Sequence, residues 1–192
     1  MRVAILASGS GSNAAALMHC FSATEGVDVV LVGSNRSGAG VLEKAQQAGV
    51  SSIHFTSDDL AGGVLLKKLK TVNVDWVLLA GFLLQIPIEF CRAFENKILN
   101  IHPSLLPKFG GKGMYGMNVH RAVFEAAEKE SGMTIHYVNE CFDEGEIVFQ
   151  GRIDVSQLTS AEEIASEVLK LEHEYYPRVA SALILDSKTP VK

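Results

Sequence analysis

Over the first hundred positions, short apolar runs alternate with stretches of helical period. Residues 2–7, Val27 to Gly33, Ser52–Phe55 and Asp75–Ala80 read as strands, nearly continuous in apolar residues as buried parallel strands are. Between them, a helix starts near Asn13, another covers Val41–Gly49, and residues 58–71 place Leu60, Val64, Leu65 and Leu69 on one face, with Gly62 and Gly63 weakening its start. This alternation predicts a doubly wound α/β sheet. The second half changes character. Residues 103–117 are rich in Gly, Pro and Lys and read as loop, Asn118–Lys129 as helix, and Met133–Val138 and Ile147–Val155 as strands flanking an acidic loop, Asn139–Glu146. A capping-box pattern, Ser160-x-x-Glu163, opens a last helix with Ile164, Val168, Leu171 and Tyr175 on its apolar face, and Pro177 is expected to kink or end it. The fold class expected is α/β, a mostly parallel sheet with an antiparallel C-terminal extension. No repeat or linker interrupts residues 1–192, so a single domain is expected, with 1–100 as a nucleotide-binding half and 101–192 as a catalytic half.

Composition narrows the picture. With 192 residues, 20% charged and 47% hydrophobic, the chain has an ordinary globular make-up and length enough for a core. A net charge of -5 disfavours nucleic-acid and anionic-membrane partners. Cys20, Cys91 and Cys141 are scattered and odd in number, as expected of free thiols in a reducing compartment. The first strand begins at residue 2, too short for a signal or membrane segment, and the expected location is the cytoplasm. The histidines His19, His54, His120, His136 and His173 show no metal-ligand spacing, so no metal is expected. His136, inside an alternating strand, reads as structural.

Three segments carry candidate chemistry. Asn100 and His102 lie two apart in Leu99-Asn100-Ile101-His102-Pro103, so a strand there puts both side chains on one face. Asn100 offers an amide donor that does not titrate, His102 exchanges a proton near neutral pH, and Pro103 holds His102 extended. A distant carboxylate such as Asp143, in Phe142-Asp143-Glu144-Gly145, would orient the imidazole and favour its charged form. Such a set suits acyl transfer through an oxyanion. Gly9-Ser10-Gly11-Ser12-Asn13 links the first strand to the first helix, where free N–H groups bind an anion. Gly9-x-Gly11-x-x-Ala14 also passes as a dinucleotide fingerprint, and Arg36 after the second strand suits a 2′-phosphate, so an NADP-type oxidoreductase is an alternative. Lys108 to Gly116 lacks the Gly-Lys-Ser/Thr ending of a P-loop and excludes ATP there; Lys112 is a candidate phosphate contact.

Asn100-Ile101-His102-Pro103-Ser104-Leu105-Leu106-Pro107 resembles the signature of the folate-dependent formyltransferases, and Asp143-Glu144-Gly145 resembles their catalytic Asp-x-Gly. The resemblance spans nearly the whole chain and points most closely to members that formylate glycinamide ribonucleotide in purine biosynthesis. It implies that Asn100, His102 and Asp143 are catalytic, that Gly11, Ser12 and Asn13 hold the substrate phosphate, and that Glu172 contacts the same nucleotide. It further implies a folate pocket at Leu83, Leu84, Gln85 and Ile86, shared with Asn100, with 10-formyltetrahydrofolate as co-substrate. The chain departs from many relatives in having Leu83-Leu84 where they have Met-Arg, and Asp58–Val64 contains no arginine for the folate glutamate tail. The resemblance leaves formyltetrahydrofolate deformylase as an enzymatic alternative and a non-catalytic nucleotide-binding module as another. Small molecules are the expected partners, and the protein is expected to be a monomer or homodimer.

Overall fold

A computed structural model describes residues 1–187. Its elements run β1 (Arg2–Leu6), α1 (Ser12–Ser22), β2 (Asp28–Ser34), α2 (Gly40–Gln47), β3 (Ser52–His54), α3 (Ser57–Ala61), α4 (Val64–Thr71), β4 (Trp76–Leu79), α5 (Ile88–Ala93), β5 (Ile98–His102), α6 (Met117–Glu125), β6 (Glu130–Tyr137), β7 (Ile147–Asp154) and α7 (Ala161–Asp186). The strands form one sheet in the order β3-β2-β1-β4-β5-β6-β7, parallel from β3 to β5 and antiparallel from β5 to β7. The doubly wound sheet with an antiparallel extension is therefore the fold observed. The strand order reverses between β1 and β4, and the crevice beyond their carboxyl ends is where such sheets bind ligands.

Both sheet faces are covered. Val3, Ile5, Trp76, Leu78, Leu99 and Ile101 pack with α1 and α7, while Ala4, Leu6, Val77, Leu79 and Ile98 pack with α3, α4 and α5. Burial on both faces accounts for the uninterrupted apolar text of β1 and β4.

Several expected boundaries shift for local reasons. The helix expected over 58–71 is two: a capping box between Thr56 and Asp59 opens α3, and Gly62-Gly63 ends it, with Gly63 at φ +77° starting α4. Helix α5 follows Pro87 and is too short for a periodic signal, burying only Phe90 among its residues. Pro177 neither ends nor caps α7, which continues to Asp186 with Pro177 buried in it. Its buried stripe is Ile164, Val168, Glu172, Tyr176 and Ala180, so the face turns from the expected Leu171 and Tyr175 toward Glu172. Tyr176 Oη is 3.0 Å from Leu79 O and 3.1 Å from Leu99 O, pinning this stripe to β4 and β5 beneath the site.

Candidate active site

The catalytic candidates converge at the end of β5. Asn100 and His102 are on one face of that strand, and the antiparallel register sets His136 of β6 directly opposite Asn100. His136 Nδ1 donates to Tyr137 O at 2.8 Å, which leaves Nε2 as the acceptor for Asn100 Nδ2 at 3.0 Å. The amide of Asn100 is thus held with one N–H engaged and the other available. His136 is a site residue that the sequence reading assigned to structure alone; strand alternation gave its face, but the register that brings it to Asn100 is not written locally.

His102, 4% exposed at its side chain, has Nε2 2.8 Å from Phe109 O and Nδ1 3.4 Å from Asp143 Oδ2. The carbonyl fixes a proton on Nε2, so the proton that His102 exchanges is the one on Nδ1, facing the carboxylate. Burial lowers the pKa of His102; Asp143 and the Phe109 carbonyl oppose this, and burial prevails. The expectation of a histidine raised by its aspartate is corrected in that respect: Asp143 acts in the expected direction but against a larger desolvation. For Asp143, burial pushes upward, yet the two histidine rings beside it, His136 and His102, and the Gly111 N–H at 2.9 Å hold the carboxyl below its usual value. Asp143 sits at φ +57°, a left-handed conformation that Asp tolerates in turns. Phe109, at φ +55°, is a bulkier residue in the same region, and its strained peptide is the one that reaches His102.

One cavity of about 800 Å³ is lined by Ser10, Ser12, Asn13, Leu83, Asn100, His102, Lys112, His120, Asp143 and Glu172, among others. A smaller cleft of about 60 Å³ is lined by Leu84, Gln85, Ile86, Asn100, His136, Phe142 and Asp143. The two meet at Asn100 and Asp143. Segments from both halves of the chain line each cavity, so the division at residue 100 does not separate one ligand region from the other.

At the glycine loop, Gly11 caps α1 at φ +76° without lining the cavity, and a Cβ there would lie 2.8 Å from Val41 Cα. Glycine is needed first for the approach of α2. The cavity is reached by Ser10, Ser12 and Asn13, where the start of α1 offers unpaired N–H groups. Asn13 Nδ2 is 2.7 Å from Glu172 Oε2, so its side-chain donor is directed at that carboxyl and not at an anion. Asn13 Oδ1 and His120 Nδ1 are buried without a hydrogen-bond partner among the described residues, and both residues line the cavity. Burial and the charge of His102 push His120 down to about 4, so it meets a ligand as a neutral ring.

Burial pushes Glu172 up to about 7, against the Asn13 hydrogen bond. The folded state thus keeps a proton that the unfolded chain releases, and stability falls as pH rises from the usual carboxyl value to about 7. Glu172→Gln, always neutral, should gain in Tm over the wild type as pH goes from 5 to 8. Thermal denaturation at both pH values checks this; a constant difference would show that the carboxyl is not held neutral.

The pattern of the formyl transferase family matches residues 1–180. The chain belongs to that family. It is 42% identical over 189 residues to the chloroplastic phosphoribosylglycinamide formyltransferase of Arabidopsis thaliana, covering 95% of this chain and 65% of the relative. Over 184 residues it is 33% identical to the phosphoribosylglycinamide formyltransferase of Haemophilus influenzae, covering 93% and 84%. The crystal structure of phosphoribosylglycinamide formyltransferase from Anaplasma phagocytophilum superposes with a TM-score of 0.88 at 36% identity, covering 97% of this chain and 88% of that one. The chain spans less than two thirds of the length of the two plant relatives, 65% and 60%. No group of His, Cys, Asp and Glu among the described residues is arranged to hold a metal ion, and no described helix is long and apolar enough to cross a membrane. The formyl transferase fold thus presents its polar groups, Asn100, His102 and Asp143, at the junction of two cavities.

Proposed function

We propose that this protein transfers the formyl group of 10-formyltetrahydrofolate to the amine of glycinamide ribonucleotide; the relatives' name, phosphoribosylglycinamide formyltransferase, supports the group transferred and its acceptor. The observation that supports the reading is the junction itself: two cavities share Asn100 and Asp143, with His102 beside them. A transfer between two bound molecules needs such a meeting point, and holding both there supplies much of the acceleration. The nucleotide takes the larger cavity, its phosphate at the backbone of Ser12 and Asn13 that follows Gly11, with Lys112 alongside, and its sugar or glycyl part at Glu172. The folate takes the side formed by Leu83, Leu84, Gln85 and Ile86, and reaches Asn100 with its formyl group.

The neutral amine attacks the formyl carbon, forming a C–N bond and a tetrahedral oxyanion. Asn100 donates its second amide N–H to that oxygen, and the positive charge of protonated His102 beside it stabilises the developing negative charge. Asp143 keeps the imidazolium oriented. The carbonyl reforms as the bond to folate N10 breaks, and the proton lost by the amine reaches N10 through His102 or a water. Tetrahydrofolate and the N-formylated nucleotide leave. These groups belong to one chain, so a monomer carries a complete site, and the three cysteines, none of them in a disulfide, suit the reducing cytoplasm.

The test supplies formyl-folate with glycinamide ribonucleotide, and then each alone. Formyl loss should require the nucleotide and yield its formylated product. Equal loss in water would make the protein a deformylase, and nicotinamide oxidation or reduction would make it an oxidoreductase.

A further inference from the structure

Between the end of β4 and Pro87 the chain forms no ladder, so residues 80–86 need other partners for their backbone groups. The partner at the bend is Ser8, 1% exposed, at the end of β1. Its N–H donates to Gly81 O at 3.0 Å, and its Oγ accepts the N–H of Leu83 at 3.0 Å. A hydroxyl has one proton, and Ser8 gives that proton to Asn35 Oδ1 at 2.7 Å, just beyond β2. Asn35 thereby turns the hydroxyl lone pair toward Leu83. Neither Ser8 nor Asn35 lines the main cavity or the adjoining cleft, whereas Gly81, Phe82 and Leu83 line the first and Leu84, Gln85 and Ile86 the second.

We propose that Ser8, clamped by Asn35, is a positioning residue that sets the 81–86 segment for the formyl donor. The assignment rests on the function proposed above. It carries an asymmetry. The glycine loop that follows Ser8 is held by bonds of its own: Val41 N donates to Gly9 O at 3.2 Å, and Ala15 N to Gly11 O at 2.9 Å. Loss of the hydroxyl therefore frees the donor side of the site and leaves the nucleotide side in place.

The experiment measures both Michaelis constants and kcat for the wild type, Ser8→Ala, Asn35→Ala and Asn35→Asp. Removing the acceptor of this part-buried N–H should raise KM for 10-formyltetrahydrofolate by about 5- to 100-fold in Ser8→Ala. KM for glycinamide ribonucleotide should stay within about twofold, since its contacts do not pass through the hydroxyl. Asn35→Ala should shift the same constant in the same direction, and Asn35→Asp, which keeps an oxygen acceptor, should restore it. Should Ser8→Ala not fold, Asn35→Ala reads the same clamp. Unchanged donor KM in the folded variants, or an equal rise in both constants, overturns the assignment. A wild type that forms no formylated nucleotide instead overturns the function itself, and the two failures are told apart by that first measurement.

Discussion

Asp143→Asn should lower kcat by about 10²–10⁴-fold, with both Michaelis constants near those of the wild type. The reason lies in the two ring nitrogens of His102. Nε2 is committed to Phe109 O, so Nδ1, 3.4 Å from Asp143 Oδ2, decides the charge of the ring. Burial already disfavours the imidazolium, and the carboxylate is the main force opposing it. An asparagine removes that charge, and its amide N–H can donate to the Nδ1 lone pair, which stabilises the neutral ring further. The pKa of His102 should fall. Because the mechanism needs the cationic form, activity is lost as pH rises through that pKa, so the alkaline limb of the kcat profile should move to lower pH in the variant. Titrating the His102 ring by NMR in both proteins, together with the pH profile, checks the sign. An unchanged pKa with near-normal turnover would reduce Asp143 to a turn residue.

The smaller cleft gives a second view of the same chemistry. Its volume of about 60 Å³ is a fraction of the neighbouring cavity, and Gln85 Nε2 donates to Glu140 O at 2.8 Å, joining its two walls. A folate on the proposed side would lie beside this contact between Gln85 and the 139–146 loop.

Much of this architecture was legible in the sequence because it is local. Strand alternation gave the common face of Asn100 and His102, and buried apolar runs gave β1, β2 and β4. What escaped depends on pairing at a distance. His136 reaches Asn100 through the β5–β6 register, and the helix face containing Glu172 is chosen by packing against β4 and β5, not by the apolar residues of α7 alone. The backbone groups of Phe109 and Gly111 that hold His102 and Asp143 have no side-chain signature at all. Ser10-Gly11-Ser12 was legible as the turn from β1 into α1, but the reason for its glycine was not, since Val41 approaches it from α2.

Gly145→Ala should be at least as damaging as the loss of the Asp143 charge, through one methyl group. A Cβ at Gly145 would lie 1.7 Å from Tyr137 O and 2.7 Å from Tyr137 C, both backbone atoms of β6. Neither can swing aside as a side chain can, so the loop or the strand must shift. Tyr137 O is also the acceptor that orients the His136 ring, and that ring receives the amide of Asn100. On the other side, Asp143 is two residues away and has to stay beside both histidines. The close approach of Gly145 to β6 therefore sets Asn100, His102 and Asp143 together, which is the physical content of the Asp-x-Gly spacing. Overpacking of this kind costs about 1–3 kcal/mol of stability. Alanine should accordingly lower Tm, raise KM for the folate as the 139–146 wall moves, and cut kcat by ~10³-fold or more as the pair separates. Glu144→Ala, at an exposed neighbour, should leave Tm and kcat close to wild type. Kinetics and thermal denaturation of the two variants decide the matter: normal turnover in Gly145→Ala would mean that the loop has room for a side chain and that Asp143 is positioned by other contacts.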